Sequence, residues 1–120
     1  MKELYFIVAI IISISSCTKD KADQIQIVDT LYNVEVLGSE FAPSSLTINV
    51  GDTVRWTNSN GYGFHNVNGT TVTYPANLES FGNSVNQNWT FEHIFNTTGS
   101  YDYQCDAHVS MGMTGKIIVN

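Results

Sequence analysis

The segment Cys105-Asp106-Ala107-His108-Val109-Ser110-Met111-Gly112-Met113 holds a thiol, an imidazole and two thioethers within nine residues, and a second imidazole, His65, lies forty residues upstream in Phe64-His65-Asn66-Val67. A thiolate with two imidazoles in a rough plane, and a thioether at longer range, is the donor set of a trigonal copper site that moves electrons. Cys105 and His108 can reach one metal if Cys105 ends a strand and the loop after it turns back. Met113 falls on the far side of that loop, where the next strand begins, and His65 has to arrive from a neighbouring strand. A cysteine shortly before a histidine is weak by itself, because a buried cysteine beside a solvated histidine is the commoner arrangement. The weight comes from all the donor types occurring in this order. Read instead as a nucleophile with His65 or His108 as base, Cys105 lacks a visible oxyanion hole or third group, and Met113 is left without a role. Zinc accepts two imidazoles and a thiolate, but a thioether suits copper better.

The elements that must hold these side chains read as strands. β-Branched and aromatic runs occur at Tyr32 to Leu37, Leu46 to Val50, Thr53 to Asn58, Trp89 to Phe95, Ser100 to Gln104 and Gly115 to Val119. Gly38, Pro43, Gly51-Asp52, Asn60-Gly61 and Gly99 punctuate them as turn signals. Leu46, Ile48 and Val50 alternate onto one face, as do Trp89, Phe91 and Phe95. Such half-buried strands predict an all-β fold, a β-sandwich. No amphipathic helix or internal repeat is visible, and Gly69 to Asn88, rich in Asn, Ser, Thr and Gly, is expected to be mostly irregular with at most a short strand or turn. His93, in phase with Trp89, Phe91 and Phe95, reads as a structural histidine, and Tyr101 and Tyr103 as strand packing. Asn68, Asn88 and Asn96 head Asn-x-Thr triplets and read as ordinary loop and strand residues.

A chain of 120 residues accommodates one domain and is too short for a multidomain copper oxidase. A net charge of −6 argues against nucleic acid as a partner, since that calls for basic patches. At the N-terminus, Lys2 precedes an apolar run from Leu4 to Ile14 and then Ser15, Ser16 and Cys17. This is the layout of a secretory signal. Ile14-Ser15-Ser16-Cys17 resembles the lipobox of bacterial lipoproteins, which implies removal of residues 1–16, lipidation of Cys17 and a polar tether over 17–30. Cys105 is then the remaining thiol of the folded part, and metal ligation accounts for it.

Gly51-Asp52-Thr53-Val54-Arg55-Trp56-Thr57-Asn58, Phe64-His65-Asn66-Val67, Gly99-Ser100-Tyr101-Asp102-Tyr103-Gln104-Cys105 and the loop ending at Met113 resemble the plastocyanin and pseudoazurin branch of the cupredoxins. The resemblance covers Tyr32 to Val119 and implies a cupredoxin domain over 31–120. It implies a Greek-key sandwich of about seven to eight strands. It further implies one copper ion, cycling between Cu(II) and Cu(I), with His65, Cys105, His108 and Met113 as ligands. The Met-Gly-Met spelling is similar to the pseudoazurin loop, in which the second methionine binds, whereas in shorter-looped relatives the methionine falls at Met111. Asn66 resembles a family asparagine that ties its strand to the ligand loop. Relatives often carry Ser or Thr and then Pro after the cysteine, where this chain has Asp106 and Ala107. Alanine restores a backbone N–H, expected to point at the Cys105 sulfur and favour Cu(I), while an ionised Asp106 would favour Cu(II).

The expectation is therefore a one-electron carrier rather than an enzyme. It is expected to be a monomer tethered by lipid to a membrane of the bacterial cell envelope, in the periplasmic space or on the outer surface. Its partners are expected to be larger redox proteins such as cytochromes or copper oxidases and reductases. The exposed edge of His108, ringed by Tyr62, Gly63, Phe64, Ala107 and Met111, is the expected electron port. A copper storage, delivery or sensing lipoprotein is the alternative that uses the same ligands.

Overall fold

The structure, a computed structural model, describes residues 28–59 and 61–120; Cys17, the signal and most of the tether lie outside the described residues. Among the described residues nine strands are formed: β1 Leu31–Val36, β2 Phe41–Ala42, β3 Ser45–Ile48, β4 Thr53–Asn58, β5 Asn68–Gly69, β6 Phe81–Gly82, β7 Trp89–Ile94, β8 Gly99–Gln104 and β9 Thr114–Val119. One sheet has the order β2-β1-β4-β7 and the other β3-β9-β8-β5-β6. The chain changes sheet before and after β3, between β4 and β5 and between β6 and β7 and β7 and β8, the crossing pattern of a Greek-key sandwich. Both sheets are mixed, with β1 parallel to β4 and β3 parallel to β9. A short 3₁₀ turn, Val109–Met111, is the helical element among the described residues.

Period-two alternation explains the long strands. In β4, Val54, Trp56 and Asn58 point inward between half-buried neighbours; in β8, Tyr101 and Tyr103 do the same, and in β9 Ile117 and Val119. Trp56 sits at the centre of the core, stacked on Phe91 at 5.6 Å and Phe81 at 5.8 Å and edge-on to Tyr103 at 5.4 Å. Burial pushes the Tyr103 phenol up to about 12, with the Trp56 indole acting weakly the other way. Tyr103 lies flat over Gly115, where an added Cβ would stand 2.1 Å from the ring, so this position has to be glycine.

Two expectations need correction. Val50 does not share the inward face of Leu46 and Ile48, because β3 stops at Ile48 and the chain turns, leaving Val50 exposed with its N–H on the Asn120 carbonyl. The excursion from Gly69 to Asn88 contributes to two short strands rather than one, because β5 and β6 pair with each other and extend the second sheet beyond β8. His93 is half-buried, stacked on Phe81 at 5.2 Å and edge-on to Phe95 at 4.6 Å, with Nε2 3.4 Å from Glu79 Oε1.

The two ends of the sandwich differ. At one, Thr30 bonds to Thr53 at the start of β4, and Gly99 pairs with Val119. At the other, β4 ends at Asn58, and Gln104 pairs with Thr114 where β8 passes into β9. The ligand candidates lie at this second end.

Candidate metal centre

Cys105 follows the last residue of β8, and the loop after it closes on itself. The Cys105 N–H donates to the Met113 carbonyl at 3.1 Å, and the His108 N–H to the Cys105 carbonyl at 3.1 Å. Met111 and Met113 N–H groups both return to the His108 carbonyl, at 2.9 and 3.3 Å. Gly112, at φ 81°, supplies the left-handed residue that ends the 3₁₀ turn. The turn folds His108 back towards Cys105, and both have ligand atoms on the same point. His65 comes from the segment between β4 and β5, held by a two-way backbone bridge to Asn86 at 3.1 Å in each direction.

These constraints place Cys105 Sγ 3.6 Å from His65 Nδ1 and 3.6 Å from His108 Nδ1. All three ligand atoms lie within 4.8 Å of one another. His65 Nε2 is 2.6 Å from the Tyr62 carbonyl, and a carbonyl only accepts. Nε2 therefore carries the hydrogen and the Nδ1 lone pair faces the sulfur, the tautomer a metal ligand needs. Burial holds the His65 imidazole below its ordinary pKa; the Tyr62 carbonyl opposes this and the nearby His108 adds to it. The two methionines separate cleanly: Met113 is 0 % exposed and Met111 66 %. His65, Cys105, His108 and Met113 thus form an arrangement like a type 1 copper site. The donor set fits that metal, because two imidazole nitrogens aimed at a buried thiol, with a buried thioether in the same loop, combine nitrogen donors that suit copper with soft sulfur donors.

Around the ligands, Asn66 and Asp106 bond reciprocally: the Asp106 N–H donates to Asn66 Oδ1 at 2.8 Å, and Asn66 Nδ2 donates to Asp106 Oδ2 at 2.9 Å. Asp106 Oδ1 also accepts from Asn68 Nδ2 at 2.8 Å and Gln104 Nε2 at 2.9 Å. Burial would raise the Asp106 carboxyl, but the amides of Asn68, Gln104 and Asn66 outweigh it and hold the group below its ordinary value. Ala107 is exposed, and the expected bond from its N–H to the sulfur is not formed; the turn is closed instead by the His108 N–H on the Cys105 carbonyl.

Sequence reasoning missed the groups that brace His65 from behind. Trp89 Nε1 donates to the His65 carbonyl at 2.9 Å and to the Asn86 carbonyl at 3.0 Å. Asn58 Nδ2 donates to the Gly63 carbonyl at 3.0 Å and the Asn86 carbonyl at 3.2 Å. A polar residue at an inward position of β4 was the available signal for Asn58; a tryptophan opening a strand reads only as core. On the surface, Tyr62, Phe64, Val109 and Met111 are exposed on the two loops that carry the imidazoles, and His108 is half-buried among them.

Residues 28–120 match the family model of copper binding proteins, plastocyanin/azurin family. The chain is 35 % identical over 86 residues to the chloroplastic plastocyanin of Tetradesmus obliquus, covering 66 % of this chain and 57 % of that protein. Among solved structures, it resembles a pseudoazurin from Sinorhizobium meliltoi with TM-score 0.58 and 29 % identity, over 76 % of this chain and 74 % of that one. It also resembles a Cu-containing nitrite reductase from Thermus scotoductus SA-01 with TM-score 0.63 and 26 % identity, over 74 % of this chain but 22 % of the reductase.

Proposed function

Because the chain belongs to the plastocyanin/azurin family of copper-binding proteins, we propose that it is a one-electron carrier between larger redox proteins at the bacterial cell envelope. The observation that carries this reading is the buried Cys105 thiol set between the Nδ1 atoms of two imidazoles, with Met113 buried beside them. Bound there, copper supplies the Cu(II)/Cu(I) couple. The residues supply the rest. Cys105 would give the strong, covalent ligand, His65 and His108 the two nitrogen donors, and Met113 a weak thioether contact that tunes the potential. Three ligand atoms lie within 4.8 Å of one another, and with Met113 as the fourth ligand no coordination position would be left for a substrate, which favours a carrier over an enzyme. The likeness to the nitrite reductase extends over only a minor part of that protein.

The half-buried His108 imidazole, flanked by exposed Phe64 and Met111, is the port through which electrons pass. A small apolar surface of this kind suits brief docking, in the class of interfaces below about 1,200 Å². Lipidation of Cys17 would hold the monomer at a membrane, and palmitate labelling that is lost in Cys17→Ala tests this.

The central experiment adds Cu(II) to the purified protein and records visible absorption and EPR together. An intense blue band with a narrow copper hyperfine splitting is the expected result, and a colourless product with an ordinary tetragonal spectrum overturns the reading. Repeated reduction and reoxidation without loss of copper separates a carrier from a storage or delivery protein, which would release the metal.

A further inference from the structure

His65 is the ligand that does not belong to the Cys105 to Met113 loop, so its position has to be fixed separately. Its own backbone bridge to Asn86 is an isolated one, outside any named strand. Two side chains converge on that bridge from the first sheet. Asn58 and Trp89 face each other in register, at the last residue of β4 and the first of β7. The Trp89 indole N–H is shared between the two carbonyls of the bridge, and the Asn58 amide joins the Asn86 carbonyl to that of Gly63. The Asn86 carbonyl thereby accepts from three donors, Asn58 Nδ2, Trp89 Nε1 and the His65 N–H.

Asn58 gives a second, independent sign. Its side chain is buried, and its Oδ1 has no hydrogen-bond partner. A buried orphan acceptor is costly, so a side chain kept there needs some compensating role. Its Nδ2 has one, since it holds the carbonyls on either side of His65 in the bridge and in the approach loop.

We propose that Trp89 and Asn58 are positioning residues for electron transfer, which clamp the His65 backbone so that its imidazole keeps one place in both oxidation states. Neither touches the ligand atoms. They act through the Asn86 bridge and tie His65 to the first sheet, while Asn66, bonded to Asp106, ties the next residue to the end of β8 in the second. The role in transfer rests on the carrier reading above; the clamp itself does not.

The test is Trp89→Phe in the full chain, which keeps an aromatic ring and removes the donor. In the metal-free protein, amide hydrogen exchange at His65 and Asn86 is expected to quicken about fivefold, the effect of losing one hydrogen bond, with Tyr101 and Ile117 in β8 and β9 unaltered. In the copper-loaded protein, the electron self-exchange rate is expected to fall while the blue absorption remains. Exchange at His65 and Asn86 equal to the unmodified protein, or quickened equally throughout β8 and β9, overturns the clamp. Quickened exchange with unaltered self-exchange overturns its role in transfer, and absence of any redox cycling in the unmodified protein would count against the carrier reading alone. If Trp89→Phe does not fold, a benzothienyl analogue of tryptophan at position 89, with the same bicyclic shape and no N–H, is read in the same way.

Discussion

Asp106 is the residue whose chemistry differs most from the Ser or Thr often found after the cysteine. Its carboxylate accepts from three neutral amides. Neutral donors stabilise an anion without cancelling its charge, so the position beside Cys105 carries a negative field that a hydroxyl would not. That field favours Cu(II), and Asp106→Asn is expected to raise the reduction potential by on the order of tens of millivolts, as for a unit charge about 10 Å away at an effective dielectric of about 20–40. Voltammetry of the two proteins checks it, and a fall in potential would contradict the sign. The methionines make a paired prediction at the same scale. Met113→Leu should change the EPR spectrum and the potential, whereas Met111→Leu, on an exposed side chain, should leave both alone. Replacing Met111 and Phe64 by charged residues should instead slow transfer to physiological partners.

At the level of the elements, Gly115 shows how closely β9 is fitted to β8. Gly115→Ala would drive a methyl into the Tyr103 ring, and a cost of about 1–3 kcal/mol is expected in denaturant unfolding. β7 carries a pH dependence. Burial pulls the His93 imidazole below its ordinary value of 6.5, against the Glu79 carboxylate, which raises it. The unfolded chain then takes up a proton that the folded chain resists. Stability is full above about pH 6.5 and falls as the pH drops below it. His93→Phe should lessen that fall, as read from unfolding midpoints at neutral and mildly acid pH. The six long strands were legible in the sequence to within two residues, because alternation over five or six positions is a strong signal. β2, β5 and β6 were not, since a two-residue strand has no period and exists only through its partner. The same holds for the site. Donor types and order pointed to His65, Cys105, His108 and Met113, but nothing in a linear chain announces that Trp89 turns its indole N–H onto a backbone bridge.

The whole molecule carries a charge of −6, and four of its exposed apolar residues, Tyr62, Phe64, Val109 and Met111, lie on the two ligand-bearing loops. An acidic body steers cationic partners over distance, while contact at the apolar loops is short-range. Association with a basic redox partner should therefore slow as salt rises, and stopped-flow rates at two ionic strengths measure it.

Thr30, bonded to the start of β4, lies at the pole of the sandwich opposite Asn58 and Cys105. A lipid on Cys17 would accordingly moor the protein by the pole that does no chemistry. The pole that holds the ligands would then be left free for partners, with neither the anchor nor its attachment competing for the docking surface.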